Sequence, residues 1–482
     1  MADGLPLRDS ENIQGNVLAA FNKDHMTFLL LDFPDPEGAR DWLKEIHPRV
    51  TTTKEVEDFN TEFSSARRAR GGEDPPMKAV WVNVGLTIDG LRTLTANSGG
   101  LDDALRNLSG DEQWPGFAAF LEKPRARAEA LGDTGRSAPR SWVFGGPGQT
   151  DIDAVVTVAA DEPEDLETRL GEIQRRAARH GVTTIFRLDG NTLPGKKRAG
   201  HEHFGFKDGI SQPGVRQFHP TDPNNPDERE GHPGTKMVRP GEFVLGYPDE
   251  HGRDPGTLPD WMRDGSFQVL RRLAQDVPGW WAQMRQARDL ENFEGGEDRL
   301  AAKTVGRWRS GSPLAHAPDH DDRAARVPGR INKFDYSDDP EGEKTPRFAH
   351  IRKTYPRGEF RDNLHRIMRR GIPFGLHFDP ALGRGHGQDA ERGLIFNAHC
   401  ADLFEQFEFI QQSWANNVGF PPKQGSPDPG PDPVIGTDGT GTLREKGADQ
   451  ELDFKRFVHT TGALYAFAPS KRTLRRLASG DL

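Results

Sequence analysis

The stretch Gly205-Phe206-Lys207-Asp208-Gly209-Ile210-Ser211-Gln212-Pro213 sets a carboxylate between two glycines. Glycine accepts backbone angles that other residues avoid, so this bracket lets the chain turn tightly and bring Asp208 close to a flat ligand. On pattern alone the same residues also read as a turn with a local Asx hydrogen bond. Other chemistry-bearing patterns fail. His201-x-His203 has the spacing of metal ligands on a strand, but no further carboxylate or Cys cluster accompanies it, and an exposed pair before a turn is the plainer reading. Gly383, Gly385 and Gly387 alternate around His386 as at a hairpin tip. Asp428, Asp432 and Asp438 lack the alternating order of EF-hand ligands and read as a solvated loop. There is no Gly-x4-Gly-Lys-Ser/Thr phosphate loop and no Gly-x-Ser-x-Gly nucleophile turn. The single cysteine, Cys400, allows no internal disulfide and no Cys-based zinc site; beside apolar neighbours it reads as a small buried hydrophobe.

Gly205-x-x-Asp208-Gly209 resembles the GxxDG signature of the dye-decolorizing peroxidases, and it does not stand alone. Ala349-His350-Ile351-Arg352-Lys353-Thr354-Tyr355-Pro356-Arg357 resembles that family's proximal-histidine segment. Arg369-Arg370-Gly371-Ile372-Pro373-Phe374 resembles its distal-arginine segment. Gly393-Leu394-Ile395-Phe396 and Gln406-Phe407-Glu408-Phe409-Ile410-Gln411 resemble the strand and helix that close its haem pocket. Ile13-Gln14-Gly15-Asn16-Val17-Leu18 resembles its opening segment. Order and spacing agree over essentially the whole chain.

The resemblance implies a haem b peroxidase that uses hydrogen peroxide to oxidise dyes, phenols and other aromatic donors. His350 would be the axial ligand of the iron, with its other ring nitrogen donating to a carboxylate. Glu408 is the first candidate for that partner, with Glu405 and Asp402 behind it. Asp208 would move the peroxide proton from one oxygen to the other, and an aspartate, with an unperturbed pKa of about 3.9, predicts an acidic optimum. Arg369 would stabilise the departing oxygen and keep Asp208 ionised; the adjacent Arg370 is the alternative. Gly371 offers no side chain to hold a distal water. Lys207 and Gly209 would border the cofactor, Arg352 would pair with a propionate or lie on the surface, and Phe374 and Phe396 would wall the pocket. Donors too large for the pocket would pass electrons through Trp or Tyr, for which Trp414 and Tyr355 are named. A haem-binding or haem-trafficking protein of the same fold is the rival reading; it needs His350 but not Asp208 and Arg369 together.

These groups need elements to hold them. Met26 to Phe33 is a short apolar run and reads as a buried strand, and Asp35 caps a helix that starts at Pro36. Ala79 to Leu86, Ile152 to Val158 and Val182 to Leu188 read as strands, and Glu164 to Arg179 as an amphipathic helix. Strand, helix, strand, strand, helix, strand is the ferredoxin-like order. The second half repeats the theme, with strands at Phe267 to Leu273, Leu394 to His399 and Gly462 to Ala468, and helices at Asp402 to Trp414 and Pro469 to Leu477. His219 to Pro240 and Pro421 to Leu443 read as long loops. The expected fold is α+β: two ferredoxin-like halves, mostly antiparallel sheets packed with helices, 1–218 carrying Asp208 and 219–482 holding the haem.

The 482 residues carry a net charge of −10, which argues against a nucleic-acid partner; the Arg67, Arg68, Arg70 cluster reads as solvated surface. No apolar run approaches the ~20 residues that cross a bilayer. Met1 to Glu11 lacks the pattern of a secretory signal, so the expectation is a cytoplasmic protein. Its expected partners are peroxide and aromatic donors, with a homo-oligomer left open.

Overall fold

Asp35 accepts the Gly38 N–H and so caps α1 (Pro36–Ile46) just after β1 (His25–Asp32). Alternate residues of β1 enter two different cores. Leu29 and Leu31 pack on one face of the sheet and Phe28 and Leu30 on the other. That is why the strand reads as an unbroken apolar run rather than an alternation. The computed structural model describes residues 4–482 except 97–100, 111–113, 196, 292, 359, 361–362 and 379–389. The glycine run around His386 lies outside the described residues.

β1 is followed by β2 (Val80–Leu86), β3 (Ala154–Ala160) and β4 (Thr183–Asn191), antiparallel in the order β2-β3-β1-β4. α2 (Pro163–Arg179) buries Leu166, Leu170, Ile173 and Ala177 against this sheet, on the stripe that the sequence displays. The second half contributes β5 (Ser266–Gln275), β6 (Met368–Arg369), β7 (Ile372–Gly375), β8 (Arg392–Cys400) and β9 (Val458–Ala468). β6 and β7 pair with β8, β8 with β5, and β5 with β9. With β6 and β7 counted as one interrupted strand, the order second-third-first-fourth repeats that of the first half. Phe467 of β9 lies opposite Leu86 of β2, so the halves fuse into one nine-stranded antiparallel sheet. The fold is α+β with two ferredoxin-like halves, as expected.

Three segments depart from the sequence reading. The expected helix after Asp402 winds with wide π-helical turns, Leu403–Glu408 and Ile410–Ala415. The expected loop at 219–240 folds into short strands, Asn225–Arg229 against His232–Val238, and the latter also pairs with Gly214–Val215. The loop after Pro421 ends in the strand Gly439–Glu445. α3 (His350–Thr354) and α4 (Lys471–Ser479) are helices of the second half. Cys400, at the end of β8, is fully buried. Among the described residues no helix is long and apolar enough to cross a membrane.

Candidate active site

β5, β8 and β9 turn alternate residues to a cavity of about 270 Å³: Arg271, Leu273 and Gln275; Leu394 and Phe396; Val458 and Thr460. α3 brings His350, the π-helical segments bring Phe407 and Ile410, and the segment after β4 brings Lys207, Asp208 and Gly209. A second cavity of about 830 Å³ shares Glu202, Asp208, Gly209, Pro213, Arg369 and Leu394 with the first.

The Asp208 loop is a tight double-back. Asp208 N–H donates to Gly200 O and Lys207 N–H to Arg309 O. Gly205 and Gly209 take φ angles of +97° and +73°, which other residues adopt at a cost. Arg369 Nη1 donates to Asp208 Oδ1 at 2.8 Å and Nη2 to Ser211 O at 3.1 Å. Gln212 binds the Arg369 backbone twice, accepting its N–H and donating to its carbonyl. Burial of Asp208 acts to raise its pKa, but the Arg369 charge and the Gly209 N–H outweigh it, and the carboxyl ends below the usual aspartate value. Arg370 is spent elsewhere, donating to the carbonyls of Asn16, Val17 and Leu18. A Cβ on Gly371 would come 2.8 Å from Ile395 O, so this position has little room for a side chain.

His350 Nδ1 lies 2.8 Å from Asp432 Oδ2, and its Nε2 makes no hydrogen bond among the described residues. Asp432 is fully buried, and its other oxygen accepts the N–H groups of Val434 and Ile435. This carboxylate, and not Glu408, Glu405 or Asp402, is the partner of His350. Glu408 is bound by Arg127 and by the Tyr465 hydroxyl. Asp402 caps the segment after it and pairs with Arg253, and Glu405 has no contact with His350. The Asp432 loop is thus no solvated loop. The available signal was Asp432-Pro433 before Val434-Ile435, an Asx-Pro turn followed by apolar residues.

Arg352, expected at a propionate or on the surface, and Phe374, expected in the pocket wall, both lie elsewhere. Arg352 is buried away from the cavity, donating to the carbonyls of Asp339 and Thr345 and lying over the Tyr336 ring. Residues two apart on a helix face different ways, so Arg352 cannot share the His350 side of α3. Phe374 lies on the opposite face of the sheet, against Arg272, whereas Phe396 does line the cavity. His203, expected to be exposed, is buried and meets Phe374 O through Nε2. No motif in the sequence pointed to Arg366. It lines the cavity, stacked on Tyr355 at 3.6 Å, with no hydrogen bond or ion pair among the described residues.

Comparison with known proteins places this arrangement. Residues 12–194 match the DyP dimeric alpha+beta barrel domain, and residues 255–419 the C-terminal domain of Dyp-type peroxidases. A dye-decolorizing peroxidase of Mycena epipterygia is 32% identical, covering 98% of this chain and 87% of its own. The multifunctional dye peroxidase DyP2 of an Amycolatopsis strain is also 32% identical, covering 97% and 95%. The chain belongs to the dye-decolorizing peroxidase family. The solved structure of an ancestral D-type dye-decolorizing peroxidase superposes with a TM-score of 0.80 at 30% identity, over 99% of this chain and 100% of that one. Another, a dye-decolorizing peroxidase in complex with 2,6-dimethoxyphenol, gives 0.77 at 31% identity, over 98% and 99%.

As a member of this family the chain is a haem-dependent peroxidase, and its cavity fits the group. The wall is apolar between Leu273, Leu394, Phe396 and Ile410, as a porphyrin face requires. The Arg366 guanidinium makes no hydrogen bond or ion pair among the described residues, and burial followed by the nearby Arg357 charge pushes Arg307 down to about 9. Unneutralised positive charge in a buried wall suits a ligand bearing carboxylates.

Proposed function

We propose that the chain binds haem b with His350 as the axial ligand, and that Asp208 and Arg369 activate hydrogen peroxide. One observation carries the reading: the Asp208–Arg369 pair and a histidine with a free Nε2, backed by a buried carboxylate, line one cavity. When bound, haem supplies the redox chemistry, taking two oxidising equivalents from peroxide and returning them singly to donors. Non-covalent haem b agrees with the single cysteine, because a C-x-x-C-H attachment needs two.

The protein's own part is proton handling and electrostatics. Asp208, ionised, takes the proton from one peroxide oxygen through its carboxylate and delivers it to the other as that oxygen departs. Arg369 Nη1 stays on the carboxylate and its charge stabilises the negative charge that develops on the leaving oxygen. Asp432 fixes the His350 ring with Nδ1–H donating, which leaves Nε2 for iron and raises its basicity. Phenols and dyes are the donors. Those too large for the cavity give electrons through Trp414, which stacks on Phe420 at 5.2 Å, next to the exposed Phe360. A haem carrier of this fold would have no use for the Asp208–Arg369 pair.

Asp208→Asn, loaded with haemin, is expected to react with peroxide about 10²–10⁴-fold more slowly than the native protein while keeping its ferric spectrum. Stopped-flow spectra measure this. An unchanged rate removes Asp208 from the mechanism.

A further inference from the structure

The loop that carries Asp208 is gripped from inside by a second acid. Glu202 Oε2 accepts the Phe204 N–H and Oε1 the Phe206 N–H, both at 2.8 Å. Its own N–H donates to Phe206 O, and its carbonyl accepts the Gly205 N–H. Gln275, at the end of β5, donates to Oε2 at 2.7 Å, and its own Oε1 has no hydrogen-bond partner among the described residues. Glu202 therefore spans the turn with both oxygens and ties it to the cavity wall. Burial outweighs the pull of these hydrogen bonds and, with the Asp208 charge adding to the rise, leaves its carboxyl raised to about 7. An acid so close to a second acid opposes that acid's ionisation, so fold stability alone gives little reason to place it there. Its distinguishing property is a bidentate acceptor that fixes two N–H groups within four residues of Asp208.

We propose that Glu202 is a positioning residue for peroxide activation: it sets the turn from which the Asp208 carboxylate meets Arg369. The proposal rests on the reading of Asp208 as the proton acceptor. Gln in place of Glu keeps the length but turns one acceptor into a donor that faces an N–H, so one strut is lost.

Cyanide provides a readout without turnover. Hydrogen cyanide binds ferric haem as the anion, so a base must take its proton, and the visible spectrum follows binding. The experiment is a double-mutant cycle on haem-loaded protein, with cyanide on-rate and peroxide reaction rate as readouts. Glu202→Gln should slow both about tenfold in the native background and less than about twofold in Asp208→Asn, because it acts through Asp208. Gln275→Leu removes one donor and leaves the turn otherwise intact; a smaller slowing, again absent in Asp208→Asn, is expected if Glu202→Gln does not load haem. Equal slowing in both backgrounds, or none in the native one, overturns the Glu202 role. If Asp208→Asn itself binds cyanide at the native rate, it is the Asp208 reading that fails.

Discussion

Asp208 is a carboxylate whose desolvation raises its pKa, an effect outweighed by the Arg369 charge at 2.8 Å and by the Gly209 N–H. Because its pKa is depressed, the base form persists below the usual aspartate value of about 3.9, and activity should be lost only in stronger acid. In Arg369→Leu the largest influence opposing burial is gone, so the acid limb of the peroxide rate should move to higher pH, read from rate–pH profiles of the two proteins. Asp432→Asn should raise the midpoint potential of the bound haem and lower activity about 10–100-fold, since a neutral amide no longer draws on the Nδ1 proton; redox titration checks it. The sequence displayed Asp208, Arg369 and His350 because each sits in a short local signature. Asp432 stands 82 residues from its histidine, and only the folded loop unites them. Arg352 was misplaced because a motif gives proximity along the chain, whereas helix phase decides which side chain faces the cavity.

The strands were legible because their apolar runs are short and bounded by turn residues, and α1 because Asp35 and Pro36 announce it. The π-helical turns after Asp402 were not, since a wide turn has no residue signature of its own; their role is to carry Phe407 and Ile410 to the cavity. Close approach between strands leaves a clearer mark. A Cβ on Gly393 would lie 1.8 Å from Leu273 O, so β8 can pass β5 there only as glycine. Gly393→Ala should destabilise the protein by about 1–3 kcal/mol and lower haem retention, because Leu394 beside it lines the cavity. Thermal melts with and without haemin measure both effects.

Across the whole molecule, the two halves share one strand order, fuse edge to edge through Phe467 and Leu86, and divide the labour of one site. The segment after β4 supplies Asp208, and the second half supplies Arg369 and His350. That the halves repeat was readable from the order of strands and helices; that they form a single sheet was not, because one pair of facing residues makes the junction. On the proposed reading, donors too large for the cavity give up their electrons through Trp414. Trp414→Phe should therefore lower turnover of an anthraquinone dye while leaving the peroxide reaction rate unchanged, a split that separate assays of the two steps resolve. The buried Cys400 bears on endurance. Burial pushes its thiol well above the ordinary range, and the charge of Asp402 adds to this. Peroxide attacks thiolates, not thiols, and must touch them to do so. An enzyme that lives on a corrosive co-substrate thus keeps its one vulnerable sulfhydryl protonated and out of reach, and wear during turnover must begin at some other residue than its cysteine.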